Sequence, residues 1–68
     1  MTILLNGEQR DVAPGTTVRA LLAAIDVPGG ERGVAIAVDS EVVPRAEWDT
    51  TELDDGARVE VLRAIQGG

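Results

Sequence analysis

The chain contains no cysteine, histidine, tyrosine or phenylalanine, and Trp48 is its one aromatic residue. Without cysteine there is no disulfide framework and no thiol nucleophile. Without histidine the commonest general base and metal ligand is missing. Lysine is absent as well: all six basic residues are arginine. No lysine Schiff base can form, and no lysine side chain can accept a conjugated protein. No apolar run is long enough to span a bilayer. The N-terminus lacks the basic, apolar and small-residue regions of a signal peptide. A cytoplasmic location is the default expectation, with no membrane partner.

What is present points to one small folded domain. The 68 residues are 44% hydrophobic, mostly Val, Leu, Ile and Ala, which argues against compositional disorder. That length sits near the lower limit for a core that holds without staples. The net charge of −6 makes binding driven by phosphate neutralisation improbable, so no nucleic-acid partner is expected. The acidic surface serves solubility, or steers the chain toward basic patches on partners. A monomer is expected.

Thr2-Ile3-Leu4-Leu5 reads as a strand, and Asn6-Gly7 is a hairpin turn because both residues tolerate positive φ. Residues 8–13 return as a more polar edge strand, closed by Pro14-Gly15. A helix follows, with Thr16 or Thr17 as its N-cap. Val18, Leu21, Leu22 and Ile25 share one helical face. Val27-Pro28-Gly29-Gly30 is the expected stop, and residues 27–33 read as a mobile loop. Val34, Ile36 and Val38 alternate with Ala35 and Ala37, so one strand face is large and the other small. The small face suggests close approach of the helix, or a shallow core layer. Asp39-Ser40 turns the chain into Glu41-Val42-Val43, which Pro44 stops. Residues 45–53 read as irregular, Asp54-Asp55-Gly56 as a turn, and Arg58-Val59-Glu60-Val61 as the start of the last strand.

This order, with one helix among about five strands, is satisfied by a helix lying on one face of a mixed sheet. The last strand, the most regular, belongs in the centre beside the first. The expected fold class is therefore α+β, a β-grasp or ubiquitin-like domain over residues 1–68. Residues 66–68 form a flexible tail.

Few side chains suggest chemistry. Asp54-Asp55 is a carboxylate pair, but beside Gly56 the turn role is expected. Glu47, Asp49 and Glu52 near Trp48 read as a solvated face. No spacing resembles a metal motif or a catalytic triad, so no metal site is expected. Gly29-Gly30 with Gly33 follows a helix, whereas a phosphate-cradling loop opens one.

The tail is different. Gly67-Gly68 ends the chain directly after a strand, where glycines pack nothing and cost backbone entropy. A frayed end is one reading. The other is chemical: lacking Cβ, the tail can thread a narrow cleft and leaves its terminal carbon unhindered. The Gly68 carboxylate, ionised at neutral pH, can attack a phosphoryl centre. Activation by ATP as an acyl-adenylate would open it to a sulfur or nitrogen nucleophile.

Several stretches resemble the ThiS family, the sulfur carriers of thiamine biosynthesis, and the likeness covers nearly the whole chain. Asn6-Gly7 falls at the family's first hairpin, and Thr17-Val18 with Leu21-Leu22 at its helix start. Val34-Ala35-Ile36-Ala37-Val38, then Glu41-Val42-Val43-Pro44-Arg45 and Trp48, is the most specific stretch. Leu53, Asp55-Gly56, Val59-Glu60-Val61 and Ala64-Ile65-Gln66-Gly67-Gly68 complete it. Asp39 departs from a common Asn and Ala57 from a common acidic residue; both fall in expected turns or loops.

The resemblance implies a carrier that is a co-substrate and not an enzyme, with no bound cofactor. A ubiquitin-activating-like adenylyltransferase would adenylate Gly68 with MgATP. Sulfur from a cysteine desulfurase or another donor would make the thiocarboxylate, and thiazole synthase would take it. Gly67 and Gln66 would thread the partner's cleft. Ile65, Leu62 and Arg63 are candidates for docking, with core packing open for Leu62 and Ile65 and plain solvation favoured for Arg63. Trp48 is expected to cap the core. Related roles remain open: the small subunit of molybdopterin synthase, a ubiquitin-like protein modifier, or a binding module that only borrows the fold.

Overall fold

Apolar side chains at every second position dictate strands that bury one face, and the computed structural model shows where that face goes. It describes residues 1–25 and 33–63, Arg63 by its backbone alone. The elements are β1 (Thr2–Leu5), β2 (Glu8–Asp11), α1 (Val18–Ala24), β3 (Val34–Val38), β4 (Glu41–Val43), a 3-10 turn (Arg45–Glu47) and β5 (Arg58–Arg63). The sheet order is β2-β1-β5-β3-β4. β5 is central, parallel to β1 and antiparallel to β3, while both hairpins are antiparallel. The expected mixed sheet with the last strand beside the first is what forms.

Two tight turns set the hairpin registers. Leu5 pairs with Glu8 across Asn6-Gly7, whose φ values are 49° and 84°. Val38 pairs with Glu41 across Asp39-Ser40, at 49° and 72°. Positive φ at both central residues matches the right-handed twist of the flanking strands, and Asn, Asp and Gly reach it at least cost.

The helix is only seven residues long, too short to persist alone. Thr17 is its N-cap, with Oγ1 accepting from the Ala20 N–H at 3.1 Å. Ile25 is the C-cap, so the helix stops before Val27. The expected stop at Val27-Pro28-Gly29-Gly30 and most of the expected loop lie outside the described residues. Val18, Leu21 and Leu22 pack with Ile3, Ile36, Trp48, Leu53, Ala57 and Val59 in one core, against which Met1, Leu5, Val34, Val38, Val43 and Val61 lie partly buried.

Three expectations change, and one loop residue proves buried. The helix packs on the large face of β3, on Ile36 with Val34 and Val38, while Ala35 is exposed on the other side. Small residues there do not admit the helix; the branched side chains simply bury more area per position. The second strand ends at Asp11, although the Val12 N–H still reaches the Met1 carbonyl at 2.8 Å. Residues 45–53 are ordered by the 3-10 turn and by a bridge between Thr17 and Glu52. Ala57 lies in the loop between the Asp55-Gly56 turn and β5, as expected, yet it is a core residue at 3% exposure. A charged side chain there would enter the core unpaired.

Candidate functional site

β5 is the element that carries the chain toward its terminal glycines, so its surroundings define the site. β1 accompanies it only as far as the Leu5–Val59 pair. β3 accompanies it to the Val34–Arg63 pair. From Arg63 the remaining five residues can span at most about 18 Å when fully extended. Ile65, Gln66, Gly67 and Gly68 lie outside the described residues, as does the Arg63 side chain.

Inward residues of β5 anchor it: Val59 is 1% exposed, and Val61 packs partly buried on the core. Outward residues Arg58, Glu60 and Leu62 face away from the helix and are exposed. Leu62 is 53% exposed, which assigns it to the surface and removes the core alternative. It stands beside Ala35, while Ala37 lies between Glu60 and Val42, itself 72% exposed. The outer sheet face therefore carries an apolar strip next to the strand that leads to the tail. An open depression on the β1 side of β5 is lined by Leu4, Asn6, Gly7, Arg58, Val59 and Glu60.

Trp48 caps the core as expected. It is 2% exposed, and its indole N–H donates to the Val43 carbonyl at 2.9 Å. The Arg19 and Arg45 guanidinium carbons stand 5.3 and 5.5 Å from its ring centroid. Arg19 Nε also meets Asp49 Oδ1 at 3.1 Å, an exposed pair of small energetic weight. Glu47, Asp49 and Glu52 are exposed, as a solvated face requires. Among the described residues no three His, Cys, Asp or Glu side chains converge as a metal site, and no polar residue is buried.

The Asp54-Asp55-Gly56 stretch is a turn. Asp55 Oδ1 accepts the Thr2 N–H at 2.9 Å, and Gly56 donates to the Thr2 carbonyl at 2.7 Å with φ 83°. Asp39 Oδ1 likewise accepts the Arg58 N–H at 3.0 Å. A third side chain of this type is not announced by the sequence. Asn6 Oδ1 accepts the Val61 N–H at 2.9 Å, and its Nδ2 faces the Val61 carbonyl at 3.5 Å. An Asn-Gly pair announces a turn; nothing local announces a partner 55 residues away.

Comparison with known proteins gives a consistent answer. The ThiS family model matches residues 3–68. The sulfur carrier protein ThiS of Escherichia coli (strain K12) is 34% identical over 68 residues, the whole of both chains. A thiazole synthase of Paramagnetospirillum magneticum (strain ATCC 700264 / AMB-1) is 34% identical over 68 residues, all of this chain but 20% of that protein. The crystal structure of a thiamine biosynthesis protein (ThiS) from Geobacter metallireducens is similar with a TM-score of 0.87 and 33% identity, covering both chains fully. A solution structure of a thiamine biosynthesis protein from the same organism gives 0.76 and 34%, covering 88% of that chain.

Proposed function

Because the chain belongs to the ThiS family, we propose that it is the sulfur carrier for the thiazole moiety of thiamine, with Gly68 as the site of loading. The carrying observation is full-length likeness to a sulfur carrier, in a chain whose central strand runs toward a terminal Gly-Gly. The Gly68 carboxylate attacks the α-phosphorus of MgATP on a ubiquitin-activating-like adenylyltransferase, and pyrophosphate leaves. A sulfur nucleophile, supplied through a cysteine desulfurase or another donor, adds to the acyl carbon. AMP departs with one former carboxylate oxygen. Sulfide leaves the thiocarboxylate directly, whereas a desulfurase-derived persulfide leaves an acyl disulfide, which a thiol cleaves to the thiocarboxylate while itself being oxidised to a disulfide. Thiazole synthase then takes the sulfur. The likeness to one-fifth of a thiazole synthase supports that partner, since it places a carrier-like segment in the same chain as that named protein.

In this reading the protein is a reloadable co-substrate and not an enzyme. Gly67 and Gln66 thread the adenylating cleft, Gly67 presenting no side chain to its walls. Leu62, exposed on the outer face, docks the body with Ile65 and Arg63 nearer the tail. The single domain ends in the tail at residues 66–68.

The test is mass spectrometry after incubation with adenylating enzyme, MgATP and sulfide. The expected product is heavier by the difference between sulfur and oxygen and is absent when Gly68 is deleted. A chain extended past Gly68 should fold normally and remain unloaded. Loading of the extended chain without its cleavage would overturn the terminal-carboxylate mechanism. Adducts on lysines of other proteins would favour a modifier instead.

A further inference from the structure

We propose that Asn6 is a positioning residue that fixes the last part of β5 and so aims the tail. This inference rests on the carrier reading for its functional half and on geometry for the rest.

The β1–β5 seam is a parallel ladder, in which donors and acceptors alternate regularly between strands. Leu4 N–H donates to the Ala57 carbonyl at 2.9 Å, and Asn6 N–H to the Val59 carbonyl at 2.9 Å. Continued by one rung, the ladder would have Val61 N–H donate to the main-chain carbonyl of residue 6. That rung is not made by the main chain, because Asn6 has φ 49° and the backbone turns away into β2. The Asn6 side chain supplies it: Oδ1 takes the Val61 N–H at 2.9 Å, and Nδ2 lies 3.5 Å from the Val61 carbonyl. A primary amide carries one acceptor and one donor group, as a peptide unit does, so it can stand in for the strand.

The seam is closed by a side chain at both ends, with unequal consequences. At its start Asp55 Oδ1 accepts the Thr2 N–H at 2.9 Å, at the end remote from the tail. At its finish Asn6 holds Val61, two residues before Arg63. Without Asn6, β5 beyond Glu60 keeps strand pairing on the β3 side alone. Its end could then fray, and the base of the tail would point in many directions. An adenylating enzyme must engage the body and receive Gly68 together, so a wandering base lowers the effective concentration of the carboxylate at ATP. Once the tail is threaded, the chemistry is unchanged.

Asn6→Gly is the diagnostic change, because glycine keeps the turn and the N–H to Val59 while removing the carboxamide. Asn6→Asp keeps the acceptor for Val61. Asp55→Ala removes a similar bond at the opposite end and serves as control. Three measurements on each full-length chain decide the matter: amide hydrogen exchange at Val61, the urea midpoint, and steady-state adenylation with MgATP, read as pyrophosphate release. Asn6→Gly should speed Val61 exchange and raise KM for the carrier about 5-fold with kcat unchanged, in line with one net hydrogen bond. Asn6→Asp should retain most of the protection and most of the KM. Asp55→Ala should lower the midpoint without moving KM. Unchanged Val61 exchange in Asn6→Gly, or an equal KM rise in Asp55→Ala, would overturn the proposal. Wild-type chain that is never adenylated overturns the carrier reading and the aiming role with it, while exchange at Val61 still decides the clamp.

Discussion

Replacing Trp48 by phenylalanine separates a core role from a docking role. The indole is 2% exposed, donates to the Val43 carbonyl at 2.9 Å, and has the guanidinium carbons of Arg19 and Arg45 at 5.3 and 5.5 Å from its ring centroid. Phenylalanine keeps an aromatic ring but removes the donor. Losing that hydrogen bond costs about 1 kcal/mol net, and more if the Val43 carbonyl finds no water. The narrower ring leaves a void in the core, adding about 1 kcal/mol. Weaker attraction of the two cations adds a few tenths of a kcal/mol. The sum is about 2–3 kcal/mol. A domain of this size holds roughly 3–10 kcal/mol in all, with small cores near the low end. The phenylalanine chain should therefore fold with a clearly reduced margin, whereas Trp48→Ala, costing about 3–5 kcal/mol, brings it close to unfolding. Urea titration followed by far-UV circular dichroism is the assay, since the substitution removes the fluorophore. With a slope near 1 kcal/mol/M, the midpoint should fall by about 2–3 M. Adenylation of the folded phenylalanine chain should keep its wild-type KM. A stability loss under about 0.5 kcal/mol, or a KM rise without one, would refute the core-cap reasoning.

Two further changes probe other links. Thr17→Ala removes the acceptor for the Ala20 N–H and should cost about 1 kcal/mol, visible as a lower urea midpoint. Leu62→Thr, at a site 53% exposed, should change stability by less than about 0.5 kcal/mol. If Leu62 docks the body on the adenylating enzyme, the same variant should raise KM; an unchanged KM would leave it a bystander on the sheet.

Local patterns made most of the scaffold legible. Asn6-Gly7 and Asp39-Ser40 mark turns by backbone sterics alone, and Thr17 caps a helix through a bond within its own first turn. Val18, Leu21 and Leu22 lie on one face because the helix repeats every 3.6 residues. The central place of β5 followed from the clean alternation of Arg58 to Val61. The Gly67-Gly68 pair was equally plain, because it is read from covalent structure and not from packing.

Other features came into view only with the chain folded. Periodicity showed that β3 has a large and a small face but not which one meets the helix; burying branched side chains decided that. Ala57 sits next to a turn in sequence, yet in space it belongs to the buried core with Ile3, Leu53 and Val59. Leu62 could have gone to either side until its register beside Ala35 put it on the outer face. The Asn6–Val61 bond joins residues far apart in the chain, and it exists only because β1 ends where β5 continues. By itself the sequence determined the turns, the amphipathic segments and the glycine pair beyond the last strand, which are set by dihedral sterics, repeat and covalent structure. Tertiary structure alone decided which faces meet and which side chain holds the strand leading to that pair, because those depend on contacts between residues the chain brings together from a distance.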